Sequence, residues 1–104
     1  MSDSLPQPAD CQTMAEVRAG VDALDRHLIE LLAVRFGFMR AAARIKPERG
    51  HVRDEDRKAQ VIENAQRAAE ALDLPGEAIA RLWHDLVEAS IAYELAHWDK
   101  IRQE

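Results

Sequence analysis

The sequence predicts an all-α fold of three helices, the first of them unusually long. Apolar residues recur at three- and four-residue spacing over most of the chain, and no segment alternates as a strand would. Proline-containing breaks interrupt this pattern at only two places. At 104 residues, the chain is long enough for one core and too short for two. We therefore expect a helical domain over residues 13–104, after a disordered lead-in over residues 1–12.

The first helix begins at a capping box. Thr13 is placed to cap the helix, and Glu16 is placed to reach back to the backbone. Apolar positions then continue to Pro47, which predicts a helix of about 33 residues, near 50 Å long at ~1.5 Å per residue. A helix of this length needs a packing partner along it.

Two shorter helices follow. The segment 47–51 breaks the first helix, and Asp54 is a favourable N-cap for a second over residues 55–72. A turn at residues 73–76 leads into a third helix over residues 76–102. Because the two short helices cannot cover the long one, we expect a two-fold homodimer that buries the remaining apolar stripe.

Composition excludes several classes of partner. The formal net charge is −5 and every basic stretch is interleaved with acids, which argues against nucleic acid. No apolar run approaches the ~20 residues of a membrane span. Cys11 is the single cysteine, so no intrachain disulfide can form and a reducing compartment is expected. With no signal-peptide pattern at the N-terminus, a cytoplasmic location is predicted.

The cations give the first indication of function. Arg18, Arg35 and Lys46 lie on the long helix among largely apolar positions, Arg57 begins the second helix, and Glu94 interrupts the apolar stripe of the third. Each chargeable group in a small helical core costs several kcal/mol unless it is paired. A small polyanion would pair with them. This pattern favours a site for an anionic metabolite.

The spacing of these cations suggests how such a site is built. Arg35 and Lys46 share one helix face about 16 Å apart, so their side chains could hold a ligand the size of a substituted six-membered ring. Arg18 lies about 25 Å before Arg35 and about 100° around the helix, too far to reach the same ligand. In an antiparallel dimer, however, Arg18 of one chain would come near Arg35 and Lys46 of the other.

Structural explanations stay open for the same residues. Arg18 can pair with Asp22 one turn later, Arg35 can extend along the rim of the core, and Arg57 can be a solvated first-turn residue. Ser90 and Glu94 are harder to explain in this way, since both lie in the apolar stripe of the third helix, where uncompensated burial is costly.

Asp54 can be only a helix cap with Lys58 as its ion-pair partner, and Glu94 can lie at the rim beside Lys100 or a neighbouring chain. The histidines lack the spacing of metal ligands, both with Cys11 and with one another, so no metal site is predicted. They are His27, His51, His84 and His97. We also expect His27 to face solvent.

Taken together, the residues resemble the all-helical, type II (AroQ-type) chorismate mutases and the related isochorismate pyruvate lyases. The likeness covers residues 11–99 and depends on the order and separation of several short motifs. These are Val17-Arg18, Asp22-x-x-Asp25, Leu31-Leu32-Ala33-Val34-Arg35, Ile45-Lys46, Val52-Arg53-Asp54-Glu55-Asp56-Arg57 and Leu86-Val87-Glu88-x-Ser90-Ile91-x-x-Glu94.

The resemblance implies an intertwined homodimer with two sites, each completed by an arginine of the other subunit. By position, Arg18 of the partner chain, Arg35 and Arg57 would grip the two substrate carboxylates. Arginine suits this role because its planar fork binds carboxylates bidentately and so orients them. Neither metal nor cofactor is implied, since the rearrangement of chorismate to prephenate is pericyclic.

The resemblance assigns the remaining positions as well. Lys46 and Glu94 would approach the ether oxygen, where negative charge develops as the C–O bond breaks, and Ser90 and Asp54 would line the pocket near the ring and its hydroxyl. Catalysis would come from holding the compact conformer and stabilising that charge.

Two positions depart from the bacterial mutases. Glu94 stands where glutamine is common, and a carboxyl group can donate a hydrogen bond to the ether oxygen only when it is protonated. We therefore predict activity that rises toward acidic pH. Lys58 stands where glutamate often contacts the ring hydroxyl, so that contact is expected to differ here.

The resemblance leaves three functions open. Asp54 and Ser90 match the mutases better and favour chorismate mutase, with a role in aromatic amino acid biosynthesis. The N-terminal pattern that ends in Val17-Arg18 is more like the lyases, which eliminate pyruvate from isochorismate to give salicylate. A non-catalytic helical dimer is the third alternative. The presence of all four cations that the family uses argues against it; they are Arg18, Arg35, Lys46 and Arg57.

Overall fold

The computed structural model describes residues 7–103, which form an all-α chain, as predicted. The three helices are α1 (Met14–Ile45), α2 (Glu55–Ala71) and α3 (Gly76–Ile101), and each bound lies within one or two residues of its predicted place. One-turn 3-10 helices at Pro8–Asp10 and Arg49–His51 complete the described residues, in which there is no strand. The chain divides into two compact units, residues 1–35 and 36–104, and α1 contributes to both.

In the first unit, α1 begins at the predicted capping box. The Glu16 backbone N–H donates to Thr13 Oγ1 at 3.1 Å. Glu16 Oε1 accepts from the backbone N–H groups of Gln12 at 2.6 Å and Thr13 at 3.1 Å. These donors hold the pKa of the Glu16 carboxyl below its usual value, with the Gln12 N–H the larger cause. Of the predicted lead-in, residues 1–6 lie outside the described residues.

The first unit leaves a continuous apolar face of α1 exposed. Its members recur at three- and four-residue spacing and are between about two-fifths and two-thirds exposed. They are Val17, Val21, Leu24, Leu28 and Leu31. Beside the first of them, Pro8 and Cys11 border an apolar groove that Val17, Gly20, Val21 and Leu24 line. The amphipathic pattern in the sequence therefore produces a face that this unit alone does not bury.

In the second unit, α2 packs on α3 around a small core. The loop residue Val52 is buried against Val87 and Ile91 of α3. Partly buried apolar side chains surround these three: Val61, Ile62, Leu95 and Trp98. Burial of Val52 fixes the loop between α1 and α2 against α3. This loop joins Lys46 to Asp54.

Side-chain and backbone caps define the ends of α2. Asp54 caps its N-terminus by accepting from the Arg57 backbone N–H at 3.0 Å, as predicted. At its C-terminus, the N–H of Leu74 donates to the Ala69 carbonyl at 2.9 Å and that of Asp73 to Glu70 at 3.1 Å. This is a Schellman motif, and Asp73 adopts the left-handed conformation with φ 61°.

None of the three helices is both long enough and apolar enough to cross a membrane, within the part of the chain that the structure describes.

Candidate active site

The structure brings together two of the predicted site residues, Lys46 and Glu94. Lys46 Nζ lies 2.8 Å from Glu94 Oε2. Lys46 directly follows α1, whereas Glu94 lies in the C-terminal half of α3 with only 4% of its surface exposed. A carboxyl group this deeply buried needs a partner. Lys46, at 30% side-chain exposure, provides it, so the alternative pairing of Glu94 with Lys100 at the rim is wrong.

The contact between Lys46 and Glu94 is close but is not aligned as a hydrogen bond. Although the two atoms are within ion-pair distance, Glu94 Oε2 has no hydrogen-bond donor in suitable geometry among the described residues. The interaction is therefore electrostatic, and the hydrogen-bonding capacity of this oxygen is unused. A buried carboxyl oxygen that lacks an aligned donor, next to an ammonium group, is an arrangement that can receive a polar atom of a ligand.

Ser90 lies one helical turn before Glu94 and is 3% exposed. Its hydroxyl donates to the Leu86 carbonyl at 2.7 Å. This bond within the helix stabilises a polar group that the surrounding apolar stripe would otherwise leave unsatisfied. The i, i+4 spacing places Ser90 and Glu94 on the same face of α3.

Asp54 and Arg57 form a second group at the start of α2. The Asp54 carboxylate is occupied as the helix cap, and the Arg57 guanidinium donates to Gln60 Oε1 at 2.6 Å. Asp54 also borders an open, polar depression that extends from Gly50 to Asp56. Among residues 7–103, no hydrogen bond or ion pair links Asp54 or Arg57 to Lys46 or Glu94.

Arg18 and Arg35 both lie on α1, in the first unit. Arg18 is exposed, and Arg35 is half-buried at the end of this unit. Of the described residues, none forms an ion pair with Arg18, Asp22 included, so the structural explanation for Arg18 finds no support. The guanidinium of Arg18 is thus available on the same helix that exposes the apolar face.

Lys58 does not pair with Asp54 but with Glu88 of α3. Lys58 Nζ lies 2.6 Å from Glu88 Oε2, and the Arg53 guanidinium binds the same carboxylate through two nitrogens at 3.1 and 2.9 Å. Arg53 and, to a smaller extent, Lys58 lower the pKa of Glu88 to about 2. The carboxylate in turn raises the pKa of Arg53. This cluster joins the start of α2 to α3.

The end of α1 at Lys46 is held by α3. Pro47 has no N–H, so it cannot donate to the Ala43 carbonyl as the next helical residue would. Arg102 supplies this donor instead, at 3.2 Å, and it also donates to the Lys46 carbonyl at 2.8 Å. Trp98 Nε1 donates to the same Lys46 carbonyl at 3.1 Å. Trp98 of α3 and Arg102, which directly follows α3, therefore cap α1 at the residue that contacts Glu94.

One turn further, Arg49 and Asp99 form a bidentate ion pair. Arg49 Nε and Nη2 lie 2.8 and 3.0 Å from the two Asp99 carboxylate oxygens. The pair lowers the pKa of Asp99 and raises that of Arg49. Both side chains are about half exposed, so its contribution to stability is modest. Its geometry nevertheless fixes the loop after Lys46 to the last turns of α3.

His27 and His84 lie apart from these contacts. His27 faces solvent, as predicted, and lies 3.3 Å from Glu30. His84 is exposed beside Asp85. No group of three or more His, Cys, Asp or Glu residues is placed to hold a metal ion in the described part of the chain.

The three helices lie in the order and at the positions that the motifs predict, with Lys46 directly after the long helix and in contact with the buried Glu94 of the third. Residues 17–95 match the family model described as chorismate mutase type II. The match covers well over half of the chain, which therefore belongs to the chorismate mutase type II family. It is an enzyme family of small all-helical proteins that act on chorismate-like substrates.

One curated relative is an isochorismate pyruvate lyase of Pseudomonas aeruginosa. It is 25% identical to this chain over 95 residues, which cover 91% of this chain and 94% of the relative. The alignment thus extends over nearly the full length of both proteins. At this identity, the relative supports the family and leaves the particular reaction open.

Sequence reasoning missed the residues that hold Lys46. Trp98 was expected in the apolar stripe of α3 and Arg102 at its end, with no role for either. Their spacing carried a signal: Glu94, Trp98 and Arg102 are four residues apart in turn, so they lie along one face of α3. The pairing of Glu88 with Arg53 and Lys58 had no such signal, since it joins residues 30 or more positions apart.

Proposed function

We propose that this chain is a chorismate mutase that rearranges chorismate to prephenate without a metal or cofactor. The observation that carries the proposal is the contact between Lys46 and the buried Glu94, the two residues that the family resemblance assigns to the ether oxygen. Buried Ser90 on the same face of α3 supports it. A lysine beside a carboxyl group that is 4% exposed is costly to maintain for structure alone.

In the proposed reaction, the ether oxygen of the substrate lies between Lys46 and Glu94. The ammonium group of Lys46 donates to this oxygen and stabilises the negative charge that develops as the C–O bond breaks. Glu94 donates from its protonated carboxyl group, which replaces the misaligned contact with Lys46 by a hydrogen bond to substrate. The reaction needs no nucleophile, so positioning and charge stabilisation supply the rate.

The substrate carboxylates are bound by Arg35, Arg57 and Arg18 of a second subunit. The exposed apolar face of α1 supports a homodimer, because each large apolar side chain gains about 1.5–3 kcal/mol when it is fully buried. Arg18 lies next to Val17 of this face and has no ion-pair partner within residues 7–103. A second chain packed along α1 would therefore have the Arg18 guanidinium beside its own site. Asp54 lines the pocket through its backbone while its side chain caps α2. We also keep the cytoplasmic location as a prediction.

A second candidate is an isochorismate pyruvate lyase that gives salicylate and pyruvate. The name of the Pseudomonas aeruginosa relative favours it, and the same cations would bind isochorismate. Ser90 and Asp54 favour the mutase. A role in aromatic amino acid biosynthesis would follow from the first activity, and one in salicylate biosynthesis from the second.

The deciding experiment incubates the purified protein with chorismate and, separately, with isochorismate between pH 4.5 and 8. Prephenate as the main product establishes the mutase, and salicylate with pyruvate establishes the lyase. Lys46→Ala serves as the control for contaminating enzymes, since it removes the charge at the ether oxygen. Neither product at any pH would refute both candidates and return the non-catalytic dimer.

A further inference from the structure

We infer that Trp98 and Arg102 are positioning residues for Lys46. They fix the backbone at the end of α1 and thereby aim the Lys46 ammonium group; the inference rests on the proposed function of Lys46. Neither residue contacts Glu94 through an ion pair, and neither was predicted to touch substrate. Their effect on the reaction is therefore transmitted through the Lys46 carbonyl.

The need for such residues follows from Pro47. The last carbonyls of any helix lack donors from the following turn, and Pro47 removes one further N–H. The Lys46 carbonyl receives two side-chain donors in its place, Arg102 Nη2 at 2.8 Å and Trp98 Nε1 at 3.1 Å. Arg102 Nη1 lies 3.2 Å from the Ala43 carbonyl oxygen, so the guanidinium spans the last turn of α1.

The two donors also support each other. The Arg102 guanidinium carbon lies 4.0 Å from the centre of the Trp98 ring, within range of a cation–π interaction. Trp98 itself packs against the core of the second unit. The Trp98 ring is fixed in the core, so stacking on it restricts the orientations of the Arg102 guanidinium and favours the one in which it donates to α1.

As a result, residues of α3 and its C-cap contact both the side chain and the backbone of Lys46. Glu94 contacts the ammonium group, whereas Trp98 and Arg102, one and two turns later on the same face, bind the carbonyl. A long lysine side chain has many rotamers, and a fixed backbone reduces the positions that its nitrogen can reach. Loss of the carbonyl contacts would let the end of α1 fray and would displace Nζ from the reacting oxygen.

The test compares Arg102→Ala, Arg102→Lys and Trp98→Phe with the wild-type protein, each at matched folded fraction. Trp98→Phe keeps an aromatic ring in the core and removes only the N–H donor. Because a displacement of about 1 Å in a catalytic group can cost up to ~100-fold in rate, we expect kcat to fall by about 10-fold or more in Arg102→Ala, with KM changed less than about threefold. Arg102→Lys restores part of the loss. Arg67→Ala, which breaks an exposed pair with Glu63 on α2, is the matched control.

A double-mutant comparison separates positioning from general stabilisation. If Arg102 acts through Lys46, Arg102→Ala lowers kcat in the wild-type protein but has little further effect in a Lys46→Ala background. A purely structural role would lower the thermal midpoint in both backgrounds and leave kcat of the folded protein unchanged, which would overturn the inference.

A readout independent of turnover separates this inference from the proposed function. Acylation of lysines by an amine reagent, followed by peptide mass spectrometry, reports how firmly each ammonium group is held. Arg102→Ala should speed acylation of Lys46 several-fold while Lys58, held by Glu88, stays at its wild-type rate. Unchanged Lys46 reactivity would refute the positioning role even if the protein catalysed neither reaction. Increased reactivity without turnover would sustain the positioning and reject only the reaction.

Discussion

Lys46 Nζ and Glu94 Oε2 lie 2.8 Å apart although the two residues are 48 positions apart in the chain, and their contact is not aligned as a hydrogen bond. Glu94 is almost fully buried, and Lys46 is the cation in contact with it. The proposed reaction needs the carboxyl group as a donor and the lysine as a cation. Those two requirements govern how activity depends on pH.

Activity is expected to rise toward acidic pH, since protonated Glu94 can donate to the ether oxygen and the carboxylate repels developing negative charge. Glu94→Gln supplies an amide donor at every pH, so it should flatten the profile and give its largest relative gain near pH 8. The measurement is kcat/KM for the wild type and the variant from pH 4.5 to 8. A wild-type profile that is already flat between pH 5 and 8 would reject the role of Glu94.

Removal of the lysine should affect stability as well as activity. Lys46→Met leaves the Glu94 carboxylate buried beside no cation, and breaking a fully buried pair costs about 3–5 kcal/mol. We expect a loss nearer 2 kcal/mol in the free energy of unfolding at pH 7, because Lys46 is 30% exposed. Urea unfolding at pH 7 measures it, and Lys46→Met/Glu94→Gln should recover most of it.

The shared site of the proposed dimer predicts complementation between inactive variants. Arg18→Ala and Arg35→Ala should each lose activity, since each removes one carboxylate contact from both sites. After the two are unfolded together and refolded, heterodimers contain one site with both arginines and one with neither. An equal mixture should therefore regain about a quarter of wild-type activity, because half of the dimers are mixed and half of their sites are intact.

No recovery in that mixture, with sedimentation showing that the chains exchange, would place both arginines of each site on one chain. Refolded mixtures of each variant with itself are the controls. They contain the same mutations and the same refolding history, and they should stay inactive.

The ion cluster at Glu88 predicts acid sensitivity of the second unit. The pKa of Glu88 is lowered to about 2 from an ordinary value of 4.5, so the unfolded chain takes up the proton first as pH falls. Its stabilising contribution is therefore complete above about pH 4.5 and is lost as pH approaches 2. The thermal midpoint of the wild type should exceed that of Glu88→Gln at pH 6, and this difference should close between pH 4.5 and 2.

Since Glu88 is a surface carboxylate, salt should reduce the same difference at pH 6. Glu63→Gln, which also breaks a pair with an arginine on α2, is the control and should show a smaller change with pH. A difference between wild type and Glu88→Gln that is constant from pH 6 to 2 would contradict the assignment.

The cap of α2 offers a stabilising substitution. Asp73 has φ 61° at the position of a Schellman motif where glycine is usual. Asp73→Gly should raise the free energy of unfolding by about 0.5–1 kcal/mol, because glycine adopts this conformation without a steric cost. Asp73→Ala, which cannot adopt it so easily, should lower the free energy. Equal values for the two variants would show that backbone conformation does not govern this turn.

Local signals in the sequence predicted the helices well. The capping box at Thr13, the break at Pro47 and the cap at Asp54 each depend on residues within four positions, and their interactions are those expected. The contact of Lys46 with Glu94 was expected from the family resemblance, through the shared role of both residues at the ether oxygen. The caps that Trp98 and Arg102 provide were not predicted, because long-range donors to backbone carbonyls leave no periodic pattern.

Lys58 pairs with Glu88 and not with Asp54, the partner that its spacing suggested, and the cause is again a long-range contact. Spacing of four residues on one helix favours Asp54, whose carboxylate caps α2 by accepting from the Arg57 N–H. Lys58 Nζ lies instead 2.6 Å from Glu88 Oε2 on α3. A local rule failed here because packing of α2 on α3 brought a second acid to the same ammonium group.

The caps on the end of α1 also set an order for synthesis. The Ala43 carbonyl accepts from a donor 59 positions later in the chain, and the Lys46 carbonyl accepts from donors 52 and 56 positions later. While a ribosome extends the chain, the last turn of α1 stays uncapped until residues 98–102 have emerged. Lys46 is thus synthesised before Trp98 and Arg102, and its backbone is fixed only after they emerge. A stalled or shortened chain that ends before residue 98 would lack the contacts that orient the Lys46 ammonium group.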